Sequence, residues 1–313
     1  MIDLFSRIKG PEGVTTSDKI LIFFIKLVYL GTRILLRLAL GKKRRDILYK
    51  EKSLDFGAFY NIFFRFFRNR SNDGSNLLRF KMPEHNFEFY CRNNKDDFNI
   101  ITIHEKDIID HFIPKERDIV VDIGAHIGLY TIITSKRVGP NGKIIAIEAN
   151  PDNFEMLNRN VKLNQLTNVT TLNCAVYSQE TKIKLYLAGE GLNRTKYNTL
   201  MAERANEGKE KFVEVNADTL DHLMQLQGIS EVNWIKIDVE GAEYEVLKGA
   251  SNIISHSKDI SLLIEVHNLS GSNSTLFEHI SQFLNLYSFK IDFEKTYDSG
   301  EKHVIARKQQ QQQ

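Results

Sequence analysis

The 313-residue chain predicts an α/β fold. The expected core is a doubly wound, mostly parallel, Rossmann-like sheet of seven strands with an antiparallel terminal hairpin, preceded by a helical N-terminal leader. Three observations predict it. From residue 118 onward, short runs rich in Ile and Val alternate with longer runs of helical periodicity, the pattern of repeated βα units. Residues 120–130, VVDIGAHIGLY, pass from a β-branched run through an acidic residue to two glycines four apart, Gly124 and Gly128, at the mouth of a helix. Chains build a small-molecule cradle in this way at the carboxyl end of a parallel strand. The last two apolar runs are separated by a short polar turn, which reads as a hairpin.

The elements follow in order. Residues 71–76, SNDGSN, are a turn or linker by composition, and 77–91, LLRFKMPEHNFEFYC, read as two short strands about a Pro-Glu-His-Asn turn. A short helix is expected over 105–112 and the first core strand over 118–123. The helix at 128–137 ends before the Gly139-Pro140-Asn141-Gly142 turn. Next come a strand at 143–148, a helix at 152–164 and a strand at 169–174. Residues 182–186 and 212–215 alternate as an antiparallel excursion. A helix at 220–226, a strand at 234–238 and a helix at 242–247 closed by Gly249 precede a strand at 261–266. A helix at 275–286 and the hairpin of 289–294 with 303–307 complete the sheet. The expected domains are a leader at 1–75, a Rossmann-like domain at 76–308 and a disordered glutamine tail at 309–313.

Composition is that of a folded protein, with 42% hydrophobic and 26% charged residues. Cys91 and Cys174 have no metal-type spacing and read as reduced thiols of a cytosolic protein. The net charge of +2 hides an asymmetry. Residues 1–70 hold fifteen Lys/Arg against six Asp/Glu, or +9, which leaves −7 for the remainder. Within this leader, 20–40 is apolar and long enough for a bilayer, but Lys26, Arg33 and Arg37 interrupt it. Together with Lys19 they fall within roughly 40° of one another on a helix, a single basic stripe that suits an interfacial helix better than a spanning one. KKRR at 42–45 and the aromatic, arginine-rich block at 56–70 extend the pattern. Contact of residues 19–70 with an anionic membrane surface is the favoured reading, against a helical cap, an oligomer contact or a transmembrane anchor. No small-residue cleavage site follows the apolar run, so no signal peptide is expected. The expected location is cytoplasmic, with peripheral attachment to the inner face of the membrane. Nucleic acid is not an expected partner, because the aromatics crowd onto one face.

The chemistry lies at strand ends. Asp122 supplies charge or hydrogen-bond acceptance, Gly124 lets a ligand approach the backbone, and Gly128 lets the following helix pack closely. Glu148 ends the second strand, 26 residues after Asp122, where a carboxylate can accept both hydroxyls of a ribose. Asn173 and the backbone around Ala175 stand where an adenine edge would be read. In WIKIDVEGAEYEVLKGA (234–250), Lys236, Asp238 and Glu240 alternate and so share one side of the chain. Glu243 and Glu245 fit helix capping and a salt bridge. Glu265 and His267 end the fifth strand near the same crevice. The spacing offers no metal-ligand set, although Asp238 with Glu240 leaves room for a divalent ion.

VVDIGAHIGLY, IEANPDNFEMLNRNVKLN, VNADTLD, WIKIDVEGAEYEVLKGA and LIEVHN, in that order, resemble the FkbM-type family of S-adenosylmethionine-dependent methyltransferases over roughly residues 80–307. The resemblance implies a class I methyltransferase fold and methyl transfer, usually to a hydroxyl. It places Asp122, Gly124 and Gly128, with Ala125 and His126 between them, on the cofactor loop. Glu148 falls on the ribose-binding acid, with Ala149 beside it, and Asp238, Glu240 and Gly241 fall beside the acceptor. His126 stands where the family commonly has Asn, and Ala149 where Pro is common.

A sulfonium methyl is already activated, so catalysis reduces to aligning an acceptor hydroxyl and withdrawing its proton. Asp238 or His267 is the expected base, with Glu240 next, and Lys236 orients the acceptor or tunes Asp238. The expected acceptor is a hydroxyl-bearing small molecule, such as a secondary metabolite, or a glycan. Two other readings compete: a nicotinamide-dependent oxidoreductase or epimerase, which would want a third glycine in the loop, and a membrane-docked binding protein without turnover.

Overall fold

A computed structural model describes residues 8–10, 77–82, 87–92, 97, 106–187, 212–267, 273–297 and 300–309. The leader segments at 20–40 and 56–70, the turn at 83–86 and residues 310–313 of the tail lie outside the described residues. The chain forms two compact units, Met1–Phe98 and Asn99–Gln313. The two strands expected within 77–91 thus fall in the first unit.

In that unit β1 (Ile8–Gly10), β2 (Leu78–Met82) and β3 (Phe87–Cys91) pair antiparallel in the order β1-β2-β3. Residues 8–10 therefore depart from the expected helical leader, because the edge of β2 takes them up as a strand. Along β3, Phe87, Phe89 and Cys91 are buried and Glu88 and Tyr90 half-buried, the period of two that one covered face imposes. Arg92 grips the fully buried Asp97 with two guanidinium bonds, Nε to Oδ2 at 3.0 Å and an Nη to Oδ1 at 2.8 Å.

The second unit opens with α1 (Lys106–Ile109) and then winds β4 (Ile119–Ile123), α2 (Leu129–Val138), β5 (Lys143–Ile147), α3 (Pro151–Leu163) and β6 (Val169–Leu172). Asn150 explains where α3 begins: its side chain accepts from the amides of Asp152 and Asn153, and Pro151 occupies the first helical position. The chain leaves the main sheet through β7 (Ala175–Val176), β8 (Thr181–Tyr186) and β9 (Phe212–Asp218), a small separate sheet ordered β7-β9-β8. It returns through α4 (Leu220–Leu226), β10 (Trp234–Ile237), α5 (Glu243–Gly249), α6 (Ser251–His256) and β11 (Ser261–Val266). It ends with α7 (Asn273–Leu286), β12 (Phe289–Thr296) and β13 (Lys302–Lys308). Helix α6 has no signature in the local sequence. Its first amides, on Asn252 and Ile253, are accepted by the carboxylate of Asp221 on α4, a cap that only the tertiary fold supplies.

The seven-stranded sheet has the order β12-β13-β11-β10-β4-β5-β6, with β13 antiparallel to both neighbours. Strands β10 and β11 are buried along their whole length, and β4 and β5 in all but the first residue, as expected of parallel strands covered on both faces. One face packs Val121, Ile123, Ile145, Ile235 and Ile237 on α4 to α7, and the other packs Ala146 on Leu157 of α3. Successive strands run outward in opposite directions from β4 and β10. The switch point therefore lies between these two strands, and in open α/β sheets ligands bind outside the carboxyl ends of the strands at that point.

Candidate active site

The loop after β4 is tied to β5 by its own amides. Gly124 N and Ala125 N both donate to Ile147 O, at 2.9 and 3.0 Å, and His126 N donates to Glu148 Oε2 at 2.8 Å. Gly128 N donates to Ala125 O at 2.8 Å. A phosphate cradle needs such amides turned toward the ligand, and here they are engaged internally.

The glycines act on protein neighbours. A Cβ on Gly124 (φ 75°) would stand 1.8 Å from Asp238 O, so this position is reserved for close approach of the β10 end. A Cβ on Gly128 would meet Leu157 Cδ1 of α3 at 2.8 Å, so this glycine admits a neighbouring helix rather than the strand expected from sequence. His126 adopts φ 51°, a left-handed conformation that Asn and His enter more readily than most residues. That accounts for a His at a position where Asn is common.

Glu148 is 7% exposed and held by three donors: His126 N on Oε2, Asn150 N on Oε1 at 2.9 Å, and Asn153 Nδ2 on Oε1 at 3.4 Å. Burial pushes its carboxyl above the usual range, and the two backbone hydrogen bonds offset that in part. The oriented carboxylate at the end of β5 retains acceptor lone pairs, which suits a ribose diol. Asn173, exposed, donates to Glu148 O at 2.8 Å and Ala149 O at 3.3 Å, so it braces the strand end. Half-buried Ala149 packs against the small sheet, and Ala175 lies inside it as part of β7, 4% exposed.

Lys236 links the loop to the acidic residues. It sits opposite Asp122 in the β10–β4 register. Its Nζ donates to Gly124 O and Asp238 Oδ2, each at 3.2 Å. It also lies 3.6 Å from Asp122 Oδ1 and 5.1 Å from the Tyr130 ring centroid. Asp122 is 2% exposed and accepts from Thr131 Oγ1 at 2.6 Å, which ties β4 to α2, while its other oxygen faces Lys236.

Beyond Lys236 stands a buried cluster. Chain reversal after β10 puts Glu240 (φ 55°) and Gly241 (φ 111°) in left-handed conformations. Glu243 Oε1 accepts from Gly241 N at 2.9 Å and meets His267 Nδ1 at 2.7 Å, whereas α5 has no side-chain cap, so the capping role expected of Glu243 gives way to bracing the turn. Nε2 of His267 faces Glu240 Oε2 at 3.3 Å, Glu265 Oε1 at 3.5 Å and Asp238 Oδ1 at 3.8 Å. His267 is 1% exposed. Burial opposes its charge, but Glu240, Glu243 and Glu265 outweigh that and raise its pKa well above the ordinary value. Burial likewise pushes Glu265 up, while the approach of His267 and His303 holds it well below the carboxylate range. Glu245 behaves as the salt bridge expected of it, 2.5 Å from Lys248 Nζ, and also accepts from Ser178 Oγ at 2.6 Å.

The fold thus brings Asp122, Gly124, Lys236, Asp238, Glu240 and His267 to one edge of the sheet. Thr131 and His303 belong to the same region and had no signal in the sequence. His303 lies 3.2 Å from Glu265 Oε2 because the antiparallel insertion of β13 pairs these two residues.

A mostly parallel sheet with this strand order and an antiparallel end hairpin is the Rossmann-like sheet of the class I methyltransferase fold. Residues 122–291, more than half of the chain, match the model of the methyltransferase FkbM domain, and the chain belongs to that family. It is similar to methyltransferase sdnD of Sordaria araneosa, 33% identical over 155 residues, covering 42% of this chain and 59% of that protein. It is also similar to hexuronic acid methyltransferase AglP of Haloferax volcanii, 27% identical over 168 residues, covering 52% and 62%. The chain therefore spans about three fifths of the length of these relatives. Among solved structures, the methyltransferase FkbM of Methylobacillus flagellatus KT is similar with a TM-score of 0.44 at 17% identity, covering 62% of this chain and 44% of that one.

Proposed function

We propose that the protein transfers a methyl group from S-adenosylmethionine to a hydroxyl on a saccharide or related metabolite. The observation that carries the cofactor assignment is the engagement of the loop amides of Gly124, Ala125, His126 and Gly128 within the protein, beside an oriented Glu148 carboxylate. Such a loop suits a nucleoside whose ribose is gripped and whose tail bears no pyrophosphate, and it disfavours a nicotinamide dinucleotide. Glu148 would hold the ribose, with Asn173 bracing the strand on which that carboxylate depends. The sulfonium of S-adenosylmethionine supplies an electrophilic methyl group.

The chain's own residues would align and deprotonate the acceptor. Asp238 has the most open side chain of the cluster, 20% exposed, and takes the role of base. His267 lies enclosed behind the carboxylates and positions them. Lys236, bonded to both Gly124 O and Asp238 Oδ2, holds the base in fixed relation to the cofactor loop. The hexuronic acid substrate in the name of the Haloferax relative supports a saccharide acceptor. An acceptor carried on a membrane lipid would also fit the basic leader.

Isothermal titration with S-adenosylhomocysteine and with NAD tests the cofactor: binding of NAD alone rejects the assignment. Mass spectrometry of cell-envelope glycans with and without the protein tests the acceptor, and loss of a 14-Da increment is expected. Asp238→Asn should lower turnover by about 10²–10⁴-fold with the true acceptor, the usual scale for a lost general base.

A further inference from the structure

We propose that Asp238, Glu240 and His267 form a binding site for one divalent cation of the first transition row. Each residue offers one ligand atom, and these atoms all lie within 4.8 Å of one another. Asp238 and Glu240 follow β10, and His267 follows β11, so adjacent parallel strands deliver the set.

His267 carries the inference. Its ring is buried, and Glu243 Oε1 at 2.7 Å from Nδ1 orients it. Nε2 has no hydrogen-bond partner and points into the carboxylates of Glu240, Glu265 and Asp238. A histidine fixed by a carboxylate at one nitrogen, with the other turned toward acidic oxygens, is the arrangement that metal-binding imidazoles adopt. A dication that displaces the ring proton would take over the pairing that His267 gives Glu240 and Glu265.

Two carboxylate oxygens and an imidazole nitrogen suit Mn²⁺ or Zn²⁺ better than the all-oxygen preference of Mg²⁺. Adjacent ligand atoms around such an ion stand about 3 Å apart, so side-chain rotation of about an ångström completes the site. Only the role of the ion rests on the methyl-transfer reading. Beside Lys236 and the cofactor loop, the ion would acidify an acceptor hydroxyl bound to it, and Asp238 would then serve the deprotonation as a ligand of the ion rather than as a free base.

The test uses the full chain, stripped with EDTA and titrated with Mn²⁺ under electron paramagnetic resonance. One saturable Mn²⁺ per chain, displaced by Zn²⁺, is expected. Asp238→Asn and Glu240→Gln should weaken binding at least tenfold, and Glu243→Gln by about 10–100-fold through loss of the orienting contact. Glu245→Gln, which alters a carboxylate outside the cluster, should bind as wild type does. Circular dichroism confirms that each protein scored is folded, and Asp238→Asn, the most open position, serves where the buried variants are not. Absence of saturable binding by folded wild type overturns the proposal, as does unchanged binding by Asp238→Asn and Glu240→Gln. Calorimetry with S-adenosylhomocysteine on the same stripped protein separates the two readings. Cofactor binding without Mn²⁺ binding defeats the cation site alone, whereas Mn²⁺ binding without cofactor binding defeats the methyltransferase reading alone.

Discussion

Gly124 and Asp238 are in contact through backbone: the Asp238 carbonyl oxygen fills the place where a Cβ on residue 124 would stand, at 1.8 Å. The glycine loop after β4 and the acidic turn after β10 are therefore one mechanical unit, with Lys236 bonded to both. A change in the loop must displace the turn that carries Asp238.

Gly124→Ala is predicted to damage stability and function together. The left-handed φ of 75° alone costs about 1–3 kcal/mol for a residue with a Cβ, and the collision with Asp238 O adds to it. Thermal melting should fall, and calorimetry should show S-adenosylhomocysteine affinity reduced more than tenfold. Wild-type affinity in the variant would mean that the loop and the turn are uncoupled.

Glu148→Gln should weaken S-adenosylhomocysteine binding by about 10–100-fold, the value of one or two hydrogen bonds to a charged acceptor. The pH dependence carries a sign. Burial raises the folded-state pKa of Glu148, so its protonation on acidification begins at a higher pH than for an ordinary carboxyl. Cofactor affinity should therefore decline as pH falls through that raised value. The contribution of this group to folding stability runs the opposite way: it is fully present below the unfolded pKa and lost as pH rises through the folded one. Parallel slopes for binding and stability in wild type, absent in Glu148→Gln, would contradict the assignment.

Cys174 should be a slow thiol. Burial, with the charge of Asp218 as the second cause, raises its pKa to about 11. Alkylation of the native protein by iodoacetamide, followed by mass spectrometry, should be slow at pH 8 and accelerate only toward pH 11. Because the folded pKa exceeds the unfolded one, Cys174 also makes the fold less stable as pH rises from about 9 through 11.

Anionic vesicles should retain the full chain at low salt and release it at high salt, through the basic leader at 19–70. Flotation that shows no binding at low salt would remove membrane docking from the proposal. Among the described residues, no helix is long and apolar enough to cross a membrane.

By itself, the sequence determined the order and kind of nearly all elements from β4 to β13 and brought Asp122, Glu148, Asp238 and His267 to strand ends. Both are local properties, written in the alternation of apolar runs and in the residues that close them. Helix α6 was invisible because its N-terminal amides depend on Asp221, thirty-one residues away from Asn252. Tertiary structure alone decided what the site residues touch. Register across β10 and β4 set Lys236 against Asp122, the insertion of β13 set His303 against Glu265, and the fold brought Glu243 to His267. These pairs join residues 24 or more positions apart, and such contacts follow from strand order and register, which spacing along the chain does not encode.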